Sequence, residues 1–200
     1  MKKISKRHRL IVVLVTVLVI GLFLSLHSID NVYKQPLPPV SNAPALYAQE
    51  QVGTATPVRL EIPSISVDAA IESVGLTPDN AMGVPKGPAD VAWFSLGPSP
   101  GQVGSAVIAG HYGWKDGIAA AFDNLSKLRK GDAIYVKDSR GQTVSFVVRE
   151  MHLYYSQEYV PEIFTSAGGT HLNLITCIGT WDAAKQSYTK RLVVFADAAP

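Results

Sequence analysis

The stretch from His171 to Phe195, HLNLITCIGTWDAAKQSYTKRLVVF, holds the only cysteine of a 200-residue chain. Cys177 ends an apolar run in which Leu172, Leu174 and Thr176 alternate with Asn173, Ile175 and Cys177, the period-2 pattern of a strand with two unlike faces. A polar connection follows, and Arg191 opens a second apolar run, Leu192 to Ala196. Two strands joined in this way can set Cys177 beside Arg191, and a thiol next to a fixed positive charge is suited to nucleophilic chemistry because the cation favours the thiolate. His111 stands just past another apolar run, Ser105 to Ala109, in the glycine-containing segment Gly110 to Trp114. A histidine past a strand end is positioned to face a cleft, and a thiol, an imidazole and a guanidinium together suit thiol-based acyl transfer. A lone cysteine is more often an inert packing residue, so the elements around it decide between the two.

Composition excludes several other chemistries. The net charge is only +2 and the basic residues are dispersed after position 10, which argues against a nucleic-acid partner. One cysteine rules out an intramolecular disulfide framework and a multi-thiolate metal site. The five histidines, at 8, 27, 111, 152 and 171, show no HxxxH or HExxH spacing. Glu158 and Glu162 are two carboxylates where calcium takes about six to eight oxygens. No metal and no cofactor is expected.

Met1 to Arg9 carries Lys2, Lys3, Lys6, Arg7 and Arg9 without an acidic residue, and Leu10 to Leu26 then runs apolar with Thr16, Gly21 and Ser25 as mild interruptions. As a helix this run covers roughly 26 Å, against a hydrocarbon core of about 30 Å. Residues 1–9 therefore read as a cytoplasmic basic tail and 10–26 as a transmembrane anchor, since a positive flank stays inside. A cleaved signal peptide has the same outline, but no small-x-small site directly follows Leu26, and Ala43, Ala45 and Ala48 come late. The expected localisation is the cell membrane, single-pass, with the N-terminus cytoplasmic and the folded part extracytoplasmic. Residues 27–57 collect Pro36, Pro38, Pro39, Pro44 and Pro57 among polar residues and read as a Pro-rich linker with a span of roughly 30 Å.

The folded part is expected at 58–200. Strand patterns recur at Val58 to Ile62, Val67 to Val74, Val91 to Phe94, Ser105 to Ala109, Ala133 to Val136 and Thr143 to Met151, separated by turn residues. Ala121, Phe122, Leu125 and Leu128 instead recur at helical intervals. Tyr154 to Gly169 is a longer, aromatic-rich connection. The spacing predicts an all-β barrel or sandwich with short helices.

At this point the chain resembles the sortases, the membrane-anchored cysteine transpeptidases of bacterial surfaces. Cys177 lies in LITC, like the family's TLxTC motif, and His111 lies in AGH after a PGxxG stretch, Pro100 to Gly104. Phe122, Leu125, Leu128, Gly131 and Asp132 match the pattern FxxLxxLxxGD, and Arg191 matches the arginine that opens the family's last strand. The resemblance covers Val58 to Asp197, with the motifs in the family's order. Asn173 departs from the family's usual threonine. The compact domain is most similar to the smaller classes, F or D.

The resemblance implies a closed sortase-type β-barrel with His111, Cys177 and Arg191 as catalytic residues. Thr176 beside the cysteine, and Trp114, Trp181 and Tyr188 in glycine-containing loops, are candidates for substrate contact. It further implies that Cys177 attacks a carbonyl inside an LPxTG-like sorting motif, giving a thioacyl enzyme that an amine resolves. The partners are then surface proteins bearing a C-terminal sorting signal, and an amine acceptor on peptidoglycan or a pilin. With reference values of about 8.5 for a thiol and 6.5 for an imidazole, thiolate and imidazolium coexist in on the order of 1% of molecules at pH 7, so slow turnover is expected. Two other readings stay open: a cysteine protease of the same fold that passes the acyl group to water, and a tethered barrel that binds without turnover.

Overall fold

The computed structural model describes residues 55–166 and 168–199. The basic tail read at 1–9, the anchor at 10–26 and most of the linker at 27–57 lie outside them. Among the described residues no helix is long and apolar enough to cross a membrane.

The alternating segments form eight strands: β1 (Pro57–Ile62), β2 (Val67–Val74), β3 (Val91–Phe94), β4 (Gly104–Gly110), β5 (Ala133–Asp138), β6 (Thr143–Tyr155), β7 (Thr170–Asp182) and β8 (Ser187–Ala198). They close into a barrel in the order β1-β2-β3-β4-β7-β8-β6-β5. The pairs β2–β3 and β4–β7 are parallel and the others antiparallel. Parallel neighbours need a long crossover; for β4 and β7 that crossover contains β5 and β6.

Alternate side chains divide between two cores. Ala106 and Ile108 of β4, Leu172 and Leu174 of β7, and Leu192, Val194 and Ala196 of β8 fill the barrel interior. Phe122, Leu125 and Leu128 join them there, each almost sealed from solvent. Their helical spacing produces no α-helix: Phe122 lies in a turn, Leu125 in the 3-10 turn Leu125–Lys127, and Leu128 directly after it. A repeat of three residues suits a 3-10 turn as well as one face of an α-helix, and burial in the barrel selects the shorter form. The other faces of the same strands supply a second core, in which Val107, Val193 and Phe195 pack against Val160 and Ile163 of the β6–β7 connection. This connection covers the part of the outer face of β7 that carries Asn173 and Ile175.

β6 and β8 run past their apolar stretches, to Tyr155 and back to Ser187. Arg191 consequently lies within β8 rather than at its opening. Pairing explains the extension, because a backbone group in a ladder is satisfied by its neighbour strand whether or not the side chain is buried.

Candidate active site

Register brings the three chemistry-bearing residues together. β7 and β8 pair antiparallel with Cys177 opposite Arg191. β4 and β7 pair in parallel with Gly110 opposite Thr176, so the next residue of each chain sets His111 abreast of Cys177. Cys177 therefore has Arg191 across the β7–β8 ladder, at a strand separation of about 4.8 Å, and on its other side the end of β4, which His111 directly follows. All three are partly exposed, as residues that must meet both each other and a substrate should be.

Each neighbour is held by specific partners. His111 Nε2 lies 2.8 Å from the Pro85 carbonyl oxygen. A carbonyl can only accept, so Nε2 carries a proton and Nδ1 is left to take up or release one. Trp114 packs edge-on against the imidazole, with ring centroids 4.7 Å apart. The Arg191 guanidinium donates to the carbonyls of Tyr188 and Lys190 and to Ser187 Oγ, each at 3.0 Å. It rests on its own hairpin. Tyr188 packs against Tyr112 and Trp181, at centroid distances of 5.6 and 5.3 Å, so two of the aromatics expected to touch substrate form a row that joins the hairpin to the His111 loop. Trp181 is 53% exposed and available to a ligand.

Thr176, also expected to touch substrate, is 2% exposed. Its hydroxyl donates to the Gly110 carbonyl at 2.8 Å, which ties β7 to β4 directly before the histidine. Asn173 is 1% exposed and its Nδ2 donates to the Ile163 carbonyl at 2.6 Å. The departure from threonine thus has a structural use: the longer amide pins the 3-10 turn Pro161–Ile163 to the outer face of β7.

Beneath the histidine, the apolar motif residue Phe122 is a support. Its backbone N–H donates to the His111 carbonyl at 3.1 Å, and its ring fills the space above Gly110. A Cβ at Gly110 would stand 2.4 Å from Phe122 Cδ2, closer than the two atoms can approach. Gly110→Ala is expected to cost at least about 1–3 kcal/mol through overpacking, read as a fall in thermal midpoint of several degrees by circular dichroism.

Asp123 is a residue that sequence reasoning passed over. Its carboxylate accepts from Gly113 N–H at 2.6 Å and Ala120 N–H at 2.9 Å, closing the loop that carries His111 and Trp114. Asp116, nearer to His111 in sequence, is exposed with a left-handed φ of 61°. Asp123→Ala leaves two loop amides without their charged acceptor, and about 2 kcal/mol of stability is expected to be lost; a lower urea midpoint at unchanged slope is the check. Pro85 was equally silent, because it acts through a backbone carbonyl that any residue possesses. Asp123 carried one weak signal, its place directly after the motif phenylalanine.

The fold is a closed β-barrel in which a cysteine lies opposite an arginine on the next strand and a histidine follows directly on the end of the strand at its other side. The chain belongs to the sortase family, whose sortase-domain model matches residues 60–199. It is similar in fold to a pilus-related sortase C of Group B Streptococcus, at 21% identity and a TM-score of 0.55 over 75% of this chain and 70% of that one. Sortase A from Corynebacterium diphtheriae, as a lid mutant, is 21% identical with a TM-score of 0.55 over 76% and 74% of the two chains. Sortase C-1 from Actinomyces oris is 25% identical with a TM-score of 0.52 over 75% and 76%. Among curated proteins nothing matches.

Proposed function

We propose that this chain is a membrane-anchored transpeptidase in which Cys177 cleaves an LPxTG-like sorting motif and passes the acyl group to an amine of the cell wall or a pilin. The observation that supports this reading is the strand order β4-β7-β8, with Cys177 opposite Arg191 and His111 directly after the Gly110 that pairs with Thr176.

In the first half-reaction the Cys177 thiolate attacks the scissile carbonyl carbon, and the carbonyl π pair becomes an oxyanion. Arg191, whose guanidinium offers only N–H donors, donates to that oxygen; to do so it turns from Ser187 and the two hairpin carbonyls. Collapse expels the amine, which takes its proton from His111 Nδ1, and a thioester remains. In the second half the acceptor amine attacks the thioester carbonyl, His111 takes the amine's proton, and the thiolate leaves. One amide is exchanged for another, so the reaction needs no oxidant, reductant or cofactor. The row Tyr112, Tyr188 and Trp181, and Trp114 against His111, supply aromatic faces for the substrate beside the three residues.

The test is intact-protein and peptide mass spectrometry on the full chain in mild detergent, with a pool of LPxTG-like peptides, with and without triglycine. An adduct on Cys177 and a peptide–triglycine product are expected. Hydrolysed peptide alone in the presence of the amine would favour the protease reading. Absence of an adduct, with a thiol that resists alkylation until unfolding, would leave the binding barrel.

A further inference from the structure

The peptide group that holds His111 has a second partner. Its carbonyl, that of Pro85, accepts from His111 Nε2 at 2.8 Å, and its N–H, that of Lys86, donates to Glu72 Oε1 at 3.1 Å. The carbonyl and the N–H of a trans peptide point in opposite directions, so one peptide stands between a carboxylate and the imidazole. Register shows why a bridge is needed. Glu72 of β2 pairs with Ala92 of β3, and Ala92 with Ala109 of β4, which places Glu72 two strand spacings, about 10 Å, from the strand that His111 follows. Ile71 packs against the interior core, and Glu72 next to it consequently stands on the outer face. Because β2 and β3 are parallel, a crossover must join them, and that crossover sets Pro85 and Lys86 between the two side chains.

This peptide has two ways round. Residues 83–90 belong to no strand or helix, and among the described residues neither Pro85 O nor Lys86 N bonds to the backbone, so no ladder fixes its polarity. A flip would turn the Lys86 N–H toward His111 and the carbonyl toward Glu72. Nε2 would then have to accept, and the ring proton would sit on Nδ1, the nitrogen that the reaction needs free. A carboxylate only accepts hydrogen bonds and repels a carbonyl oxygen, so Glu72 selects the orientation seen. The other carboxylates of this region do not compete for the ring: Asp123 is engaged by the Gly113 and Ala120 amides, and Asp116 is exposed. Among the described residues, the histidines in ion pairs are His152 and His171.

We propose that Glu72 is a positioning residue: by accepting from Lys86 N–H it fixes the polarity of the Pro85–Lys86 peptide, and through that peptide the Nε2–H tautomer and the aim of the His111 ring. A buried carboxylate that orients a histidine directly does the same work in other nucleophilic enzymes; here a peptide group carries it from one outer-face strand position to the next. The kinetic consequence rests on the transpeptidase reading. The state of the ring proton does not, since it belongs to the resting chain.

The experiment follows the Nε2-bound proton of His111 by nuclear magnetic resonance in the full chain, carrying isotope-labelled histidine, in mild detergent, with the resonance assigned by its loss in His111→Asn. Glu72→Ala is expected to speed exchange of that proton with water about tenfold, and to lower kcat about tenfold with KM changed less than about twofold, as loss of one hydrogen bond to a charged group does. Glu72→Gln keeps an acceptor, but its NH2 also suits the flipped peptide. It is expected to fall between the parent and the alanine chain, at about threefold in both readouts. A side chain that merely stabilises the crossover would move the thermal midpoint and leave the ring proton and kcat in place. Exchange and kcat within about twofold of the parent in Glu72→Ala, or a Glu72→Gln chain indistinguishable from the alanine one, overturns the proposal. A chain that turns over no peptide sinks the transpeptidase reading instead, and proton exchange still decides the role of Glu72.

Discussion

Cys177→Ala is expected to leave a folded barrel that forms no covalent adduct with any sorting-motif peptide and transfers no acyl group. The thiol belongs to the partly exposed outer face of β7, outside the interior core, so its truncation opens no sealed cavity. The stability change is expected to stay within about 1 kcal/mol. Loss of the nucleophile removes the thioester altogether rather than slowing its formation. Cys177→Ser sharpens the test. A hydroxyl is far harder to ionise than a thiol, and His111, acting as the acid for the leaving amine, is already committed, so the serine enzyme is expected to retain less than about one thousandth of the activity. Intact mass and product analysis read both variants. An adduct in the alanine chain would move the nucleophile elsewhere and sink the mechanism.

Arg191→Ala is expected to lower kcat/KM by about 10²- to 10³-fold, the effect of losing one oxyanion donor. In the resting chain the guanidinium makes three hydrogen bonds within its own hairpin, to Tyr188 O, Lys190 O and Ser187 Oγ, so a structural role alone would appear as a loss of stability. That loss is expected to be about 1 kcal/mol, since two of the acceptors are ordinary carbonyls and the group is partly hydrated. The two readouts therefore separate: a large fall in rate with a small fall in urea midpoint supports the oxyanion role, and a rate change under about threefold removes it. Arg191→Lys is expected to recover little, because an ammonium on a thinner stem cannot reproduce the planar fork.

Much of this architecture was legible before any coordinates. The alternation of Leu172, Leu174 and Thr176 with Asn173, Ile175 and Cys177 already separated an inner face from an outer one, and the motif order carried the family. The limits were local. Phe122, Leu125 and Leu128 read as a helix because a spacing of three or four residues does not distinguish an α-helix from a turn that drops three apolar groups into a barrel. The lengths of β6 and β8 were underestimated because apolar runs mark burial, whereas ladders continue as long as a neighbour strand can pair. Thr176 stood beside the cysteine in the motif, yet strand alternation turns it to the opposite face, where its hydroxyl binds Gly110.

What the sequence by itself determined is the chemistry on offer: one thiol, a histidine past a strand end, an arginine entering an apolar run, and strands with distinct faces. These follow from residue type and period, which are local properties. Only the tertiary structure decided that β4 lies parallel beside β7, that Pro85 O holds His111 Nε2, and that Asp123 closes the histidine loop. Those relations depend on strand register and on which backbone groups remain unpaired after the barrel closes. Closure satisfies each strand against neighbours distant in the chain, so no local pattern could carry that information.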